Sequence, residues 1–134
     1  MRLEIPGVPV AKKRPRFFRK GNHVGTYNPQ QTEEGSWLWH ATQQIQGKRI
    51  SGPCSVLASF VLPIPKSATK RNAALMASGS LPHTKKPDID NLLKFVMDCL
   101  NGVLWHDDAA VVSVTARKCY GAEPKTIIEV EEIA

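Results

Sequence analysis

Apolar and polar positions alternate over Arg2–Pro6, with Leu3 and Ile5 on one side and Pro6-Gly7 and Pro9 ending the run, which predicts a short strand. Asn28-Pro29 opens a helix, and Trp37, Leu38, Ala41 and Ile45 follow at helical spacing, so 29–46 is predicted helical with Gly47 as its stop. Cys54–Leu62 is a β-rich apolar run between Pro53 and Pro63-Ile64-Pro65, the pattern of a strand. Ser67 caps a short helix through Ala73, Leu75 and Met76 that stops near Gly79, and Ser80–Pro87 is loop. The clearest helical period lies at 90–104, where Leu92, Val96, Cys99 and Val103 form one apolar stripe. Ala110–Cys119 and Thr126–Glu132 read as strands separated by Gly121 and Pro124, and strands this close in sequence pair by default as a hairpin. The order β-α-β-α-α-β-β predicts the α+β class, a mixed or antiparallel sheet flanked by helices rather than a doubly wound one.

Composition narrows this further. A chain of 134 residues with 42% hydrophobic content has room for a single domain over 1–134 and enough apolar surface for a core. Cys54, Cys99 and Cys119 are odd in number, widely spaced and without a Cys-x-x-Cys pair, which argues against a disulfide framework or zinc site and for a reducing cytoplasm. No apolar run approaches the ~20 residues that span a bilayer, so no membrane association is expected.

Charge brings in the first functional signal. Eighteen Lys and Arg against twelve Asp and Glu give a net charge of +6, a balance suited to phosphate-rich partners. Lys12, Lys13, Arg14, Arg16, Arg19 and Lys20 crowd into 11–20 with no acid among them. This segment, punctuated by Pro15, Gly21 and Gly25, reads as a long exposed loop of the functional kind. A second basic stretch holds Lys66, Lys70, Arg71, Lys85 and Lys86. The acids collect at Asp88, Asp90, Asp98, Asp107 and Asp108, and again at Glu129–Glu132, which reads as the solvated side of a terminal strand.

The chemistry-bearing segment is Lys86-Pro87-Asp88-Ile89-Asp90-Asn91-Leu92-Leu93-Lys94. Asp88 falls in the lead-in after Pro87 and Asp90 at or near the helix N-cap, where a carboxylate meets free backbone N–H groups, so both can be aimed into one pocket. Lys94 lies one turn beyond Asp90. The bland alternative is a capped amphipathic helix with an Asp–Lys pair worth about 0.2–0.5 kcal/mol. Asp107-Asp108, at the entrance to a strand, can lend a further carboxylate. Three carboxylates in a basic protein suit hard divalent cations such as Mg2+ or Mn2+, which polarise a phosphodiester and generate hydroxide.

These residues resemble the RusA family of Holliday junction resolvases: Lys86-Pro87-Asp88-Ile89-Asp90-Asn91-Leu92, Lys94, Asp98, Leu100-Asn101-Gly102 and Asp107-Asp108-Ala109-Ala110-Val111-Val112 follow its pattern in order and spacing. Pro9, Lys12, Arg14-Pro15-Arg16 and His83-Thr84-Lys85-Lys86 resemble its phage-type branch, so the likeness covers most of the chain. The resemblance implies a small α+β homodimer that cuts four-way branched DNA symmetrically with Mg2+, for which Mn2+ substitutes, and without a small-molecule organic cofactor. It puts the catalytic and metal-holding carboxylates on Asp88, Asp90 and Asp108 and the motif lysine on Lys94. The longer basic N-terminal segment and the basic 66–86 segment depart from the compact enterobacterial member, so DNA contacts do not carry over. Read from charge, Lys12, Lys13, Arg14, Arg16, Lys85 and Lys86 are the candidate phosphate-binding residues, with Phe17, beside Phe18, able to wedge into a junction. His83 and His106 could approach the metal, though scattered histidines more often serve surface or packing roles. Trp37, Trp39 and Trp105, like the three cysteines, read as packing residues. Two other readings remain open: a non-catalytic basic DNA-binding module, and a nuclease acting on flaps or other branched DNA.

Overall fold

The computed structural model describes residues 1–133. A four-stranded mixed sheet carries helices against one face, and a separate two-stranded sheet stands beside it. Strand β1 (Arg2–Pro6) buries Leu3 and Ile5 and exposes the residues between them. Strand β4 (Cys54–Pro63) is buried or half-buried on both sides along almost its whole length, the signature of a central strand. It pairs antiparallel with β6 (Lys125–Glu132) and parallel with β5 (Val111–Gly121), giving the order β1-β6-β4-β5.

The expected hairpin of the last two strands does not form, because β4 lies between them. β4, covered along nearly its whole length, takes an interior position with a neighbour on each edge, and sequence proximity yields to that pairing. The chain gets from β5 to β6 by crossing the end of β4, where a Cβ on Gly121 would sit 2.4 Å from Val61 Cγ1. Only a glycine allows this close approach without moving the neighbour.

The segment read as a long loop holds strands β2 (Arg16–Lys20) and β3 (His23–Tyr27), paired antiparallel through Gly21-Asn22. Gly21, with φ of 60°, takes the first central position of the turn, a place hairpins reserve for residues tolerant of positive φ. Nearly every residue of this hairpin is exposed, so no buried face marked it in the hydrophobic pattern.

Helix α1 (Gln31–Ile45) buries Trp37, Ala41 and Ile45 one turn apart. Trp39, expected to pack, is exposed and stands edge-to-face with His40. Helix α2 (Lys70–Ala77) is capped by Thr69, whose hydroxyl accepts from the Asn72 N–H at 3.2 Å, rather than by Ser67. Helix α3 (Ile89–Leu100) buries Leu92, Phe95, Val96, Cys99 and Leu100. It ends earlier than its periodicity predicts: Asn101 turns extended and Gly102 adopts a φ of 76°, so the chain folds back and buries Leu104 and Trp105 instead. Cys54 and Cys99 are packing residues as read, whereas Cys119 is exposed. The core joins both long helices to the sheet, and Trp37 meets Phe95 edge-on with ring centroids 6.0 Å apart.

Phe95 is the main apolar anchor of the helix that carries the candidate site. Phe95→Ala is expected to destabilise the fold by about 3–5 kcal/mol through lost burial and the cavity left behind. Urea denaturation should show this as a lower midpoint at unchanged slope.

Candidate active site

The site begins where Pro87 releases the chain into α3. The Leu92 N–H already bonds the Asp88 carbonyl at 3.1 Å, so the helical ladder starts two residues before the expected position and Asp88, not Asp90, is the N-cap residue. Its carboxylate makes no capping hydrogen bond and faces Lys86 Nζ at 3.7 Å. Asp90 stands in the first turn, and both carboxylates are exposed at the positive end of the helix dipole. The lead-in is held from the sheet: Lys118 Nζ on β5 donates to the carbonyls of Lys85 (2.7 Å) and Pro87 (3.0 Å). Sequence reading missed Lys118, which shows there only as one polar residue in an alternating strand.

Asp107 and Asp108 have different tasks. Asp107 Oδ1 accepts from the Ala109 N–H at 3.0 Å and caps a single 3-10 turn. Asp108 Oδ1 accepts from the indole N–H of Trp105 at 2.8 Å, while its own N–H donates to Asn101 Oδ1 at 3.2 Å. Trp105 is fully buried, so the core itself aims this carboxylate. Asp108 Oδ2 has no protein partner among the described residues.

The donor set fits a hard cation chemically, since Asp88, Asp90 and Asp108 offer carboxylate oxygens alone. Spatially it is no cage: among the described residues, no group of three or more His, Cys, Asp or Glu side chains lies close enough to hold a metal ion. Mg2+ does not require one, because it commonly takes one or two carboxylates and completes its shell with water and substrate phosphate. Burial pushes the Cys99 thiol up to about 12, so it stays protonated and offers neither a ligand nor a nucleophile.

The basic residues divide by partner. Lys12, expected to grip phosphate, is instead tied to the protein: its Nζ lies 3.2 Å from Glu34 Oε1 and 3.3 Å from Asp98 Oδ2, and its N–H donates to the Asn91 carbonyl. Burial alone would lower its pKa, but the hydrogen bonds and charges of Glu34 and Asp98 outweigh that and raise it. Gln30 is fully buried and fixes the same segment, donating to the Ala11 carbonyl at 2.6 Å and accepting from the Lys13 N–H at 2.7 Å. Nothing in the sequence singled it out.

With Lys12 so anchored, Lys13 and Arg14 are carried to the side of α3, where they line a cleft of about 230 Å³ with Asn91 and Lys94. Lys13 has a long contact to Glu33, at 3.9 Å. Arg14, Arg16, Lys85 and Lys94 are exposed. The cleft is cationic and adjoins the turn that bears Asp90.

The hairpin separates its two phenylalanines. Phe18 lies over Gly25, where a Cβ would meet its ring at 2.4 Å, and is flanked by His23 and Tyr27. Phe17, on the opposite face, is 76% exposed. His106 is exposed, and no described helix is long and apolar enough to cross a membrane.

The family described as endodeoxyribonuclease RusA matches residues 6–131. An uncharacterized protein of Bacillus subtilis (strain 168), YqaN, is 30% identical over 138 residues, spanning 100% of this chain and 97% of its own length.

The Lys12 latch has a pH signature. Because its pKa is raised in the folded state, its stabilisation is complete below about pH 10.5, the ordinary lysine value, and is lost as pH rises through the higher folded value. Lys12→Gln should therefore melt below the parent at neutral pH, with the gap in Tm closing only in strong alkali. A thermal melt series of both proteins across that range checks it.

Proposed function

The chain belongs to the RusA endodeoxyribonuclease family, and from that membership we propose that it cleaves four-way branched DNA with Mg2+ as cofactor, cutting paired strands as a homodimer. The observation that supports this most is the neighbourhood of α3: Asp88 and Asp90 open the helix, and the cationic cleft of Lys13, Arg14, Asn91 and Lys94 runs beside them. Carboxylates alone repel a phosphate backbone, so a cationic wall is what brings DNA to them. Arg14 can grip a phosphate through paired N–H donors, and Lys94 places a mobile positive charge one turn from Asp90.

Asp88, Asp90 and Asp108 are the residues that would hold a divalent cation, which when bound polarises the phosphodiester, supplies hydroxide near neutral pH and steadies the leaving oxygen. Asp108 meets this role with its direction set, since the Trp105 indole leaves one oxygen free. Lys94 offsets charge developing on the phosphate. Two strands of like polarity call for two equivalent sites, and two-fold symmetry supplies them most simply. The hairpin offers Arg16, Arg19 and Lys20 to the backbone and Phe17 to the branch point.

The deciding assay compares cleavage of a four-way junction, a flap and a linear duplex at equal concentration in Mg2+ or Mn2+. A junction bound but never cut would favour a binding module, and equal cutting of the flap would favour a broader branched-DNA nuclease. Asp90→Asn should lower junction cleavage roughly 100-fold or more, the scale on which positioned catalytic groups act. Gel-shift binding should stay intact or tighten, because a charge that repels phosphate is gone. Asp108→Asn should cost more activity than Asp107→Asn, which loses mainly a cap.

Replacing Lys13, Arg14 and Arg16 together with alanine should weaken binding and flatten log affinity against log salt by about 2–3, at about 0.9 per phosphate contact. Stability should change little, because exposed charges contribute little to it. An unchanged salt slope would remove these residues from the interface.

A further inference from the structure

Where the lead-in reaches Asp88 lies a second cavity, of about 250 Å³, lined by Pro63, Pro65, Pro87, His83, Tyr120 and Lys86. It is smaller than the roughly 300–1,000 Å³ of whole small-molecule sites, so its size suits a single ring system. The His83 and Tyr120 rings stand 4.6 Å apart, tilted by 50°. Three prolines and the Lys118 bonds to the Lys85 and Pro87 carbonyls hold the wall in place. His83 Nδ1 is the one buried side-chain nitrogen or oxygen among the described residues that lacks a hydrogen-bond partner. Burial first, and then the Lys118 charge, lower the His83 pKa, so the ring is neutral at neutral pH.

We propose that this cavity receives one unstacked nucleobase of the DNA, laid against the Tyr120 ring beside the phosphate presented to Asp88 and Asp90. The proposal rests on the cleavage reading above and adds a base-binding slot to it. Branched DNA exposes bases that duplex stacking otherwise hides, and an aromatic platform accepts any base because each has a π face. Apolar walls and a neutral imidazole suit a base rather than a phosphate. The exposed Lys85 and Lys86 hold the flanking backbone.

The test is cleavage of a set of four-way junctions, each with one abasic site at a nucleotide flanking the scissile phosphate. The parent should slow about tenfold at one position, the scale of a lost base–aromatic stack. Tyr120→Phe should show the same sensitivity, whereas Tyr120→Leu should cut intact and abasic junctions at similar rates. Thermal melts check that both variants are folded, and the parent series stands without either. Parent rates within about twofold at every abasic position, or equal sensitivity in Tyr120→Leu, would overturn the slot. A parent that leaves the intact junction uncut in Mg2+ and Mn2+ gives a separate result, which overturns the cleavage reading and the slot with it.

Discussion

One constraint shapes this molecule: β4, which buries Cys54, Val56, Ala58, Phe60 and Leu62 on one face and is half-buried on the other, lies inside the sheet with a partner on each edge. Pairing it on both sides splits β5 from β6 and makes β4 and β5 parallel neighbours. A parallel pair needs a long crossover, and the crossover here contains α2 and α3. The route therefore ends with the start of α3 close to the far end of β5, where Lys118 can hold the backbone of the preceding loop. The carboxylates owe their position to the interior demands of a strand that carries none of them.

The core also reaches the surface chemistry directly. Phe95 and Trp37 seat α3 by one side and leave Asp90, Lys94 and Asp98 on the other. Trp105 is buried to its last atom yet uses its N–H to orient Asp108. Such a bond couples packing to function, since a shift of the indole would move the carboxylate. Asp107, one residue earlier, spends its oxygen on a turn.

The excess of positive charge is divided in the same way. Lys12 is half-buried between Glu34 and Asp98 and joins the N-terminal segment to both long helices. Gln30 completes the attachment through backbone groups on either side of Lys12. Their neighbours Lys13 and Arg14 remain on the surface, placed by this anchoring, and the hairpin that follows extends the basic surface as ordered strands.

The sequence by itself determined the α+β class, the existence of two long helices (read at 29–46 and 90–104, found at 31–45 and 89–100), four strands of the main sheet, and the family, through Asp88-x-Asp90-Asn91, Lys94 and Asp107-Asp108. These are local matters: apolar period, proline and glycine stops, and residue types at fixed spacing. The hairpin at 16–27 had only Gly21-Asn22 to signal it, because two exposed strands bury nothing and leave no apolar alternation, and the charge pattern read as a loop. Only the tertiary structure decided that β4 separates β5 from β6, that Asp88 rather than Asp90 begins the helix, that Lys12 is a latch, and that Trp105 aims Asp108. Each of these depends on which distant groups share a buried volume, and spacing along a chain carries no record of that.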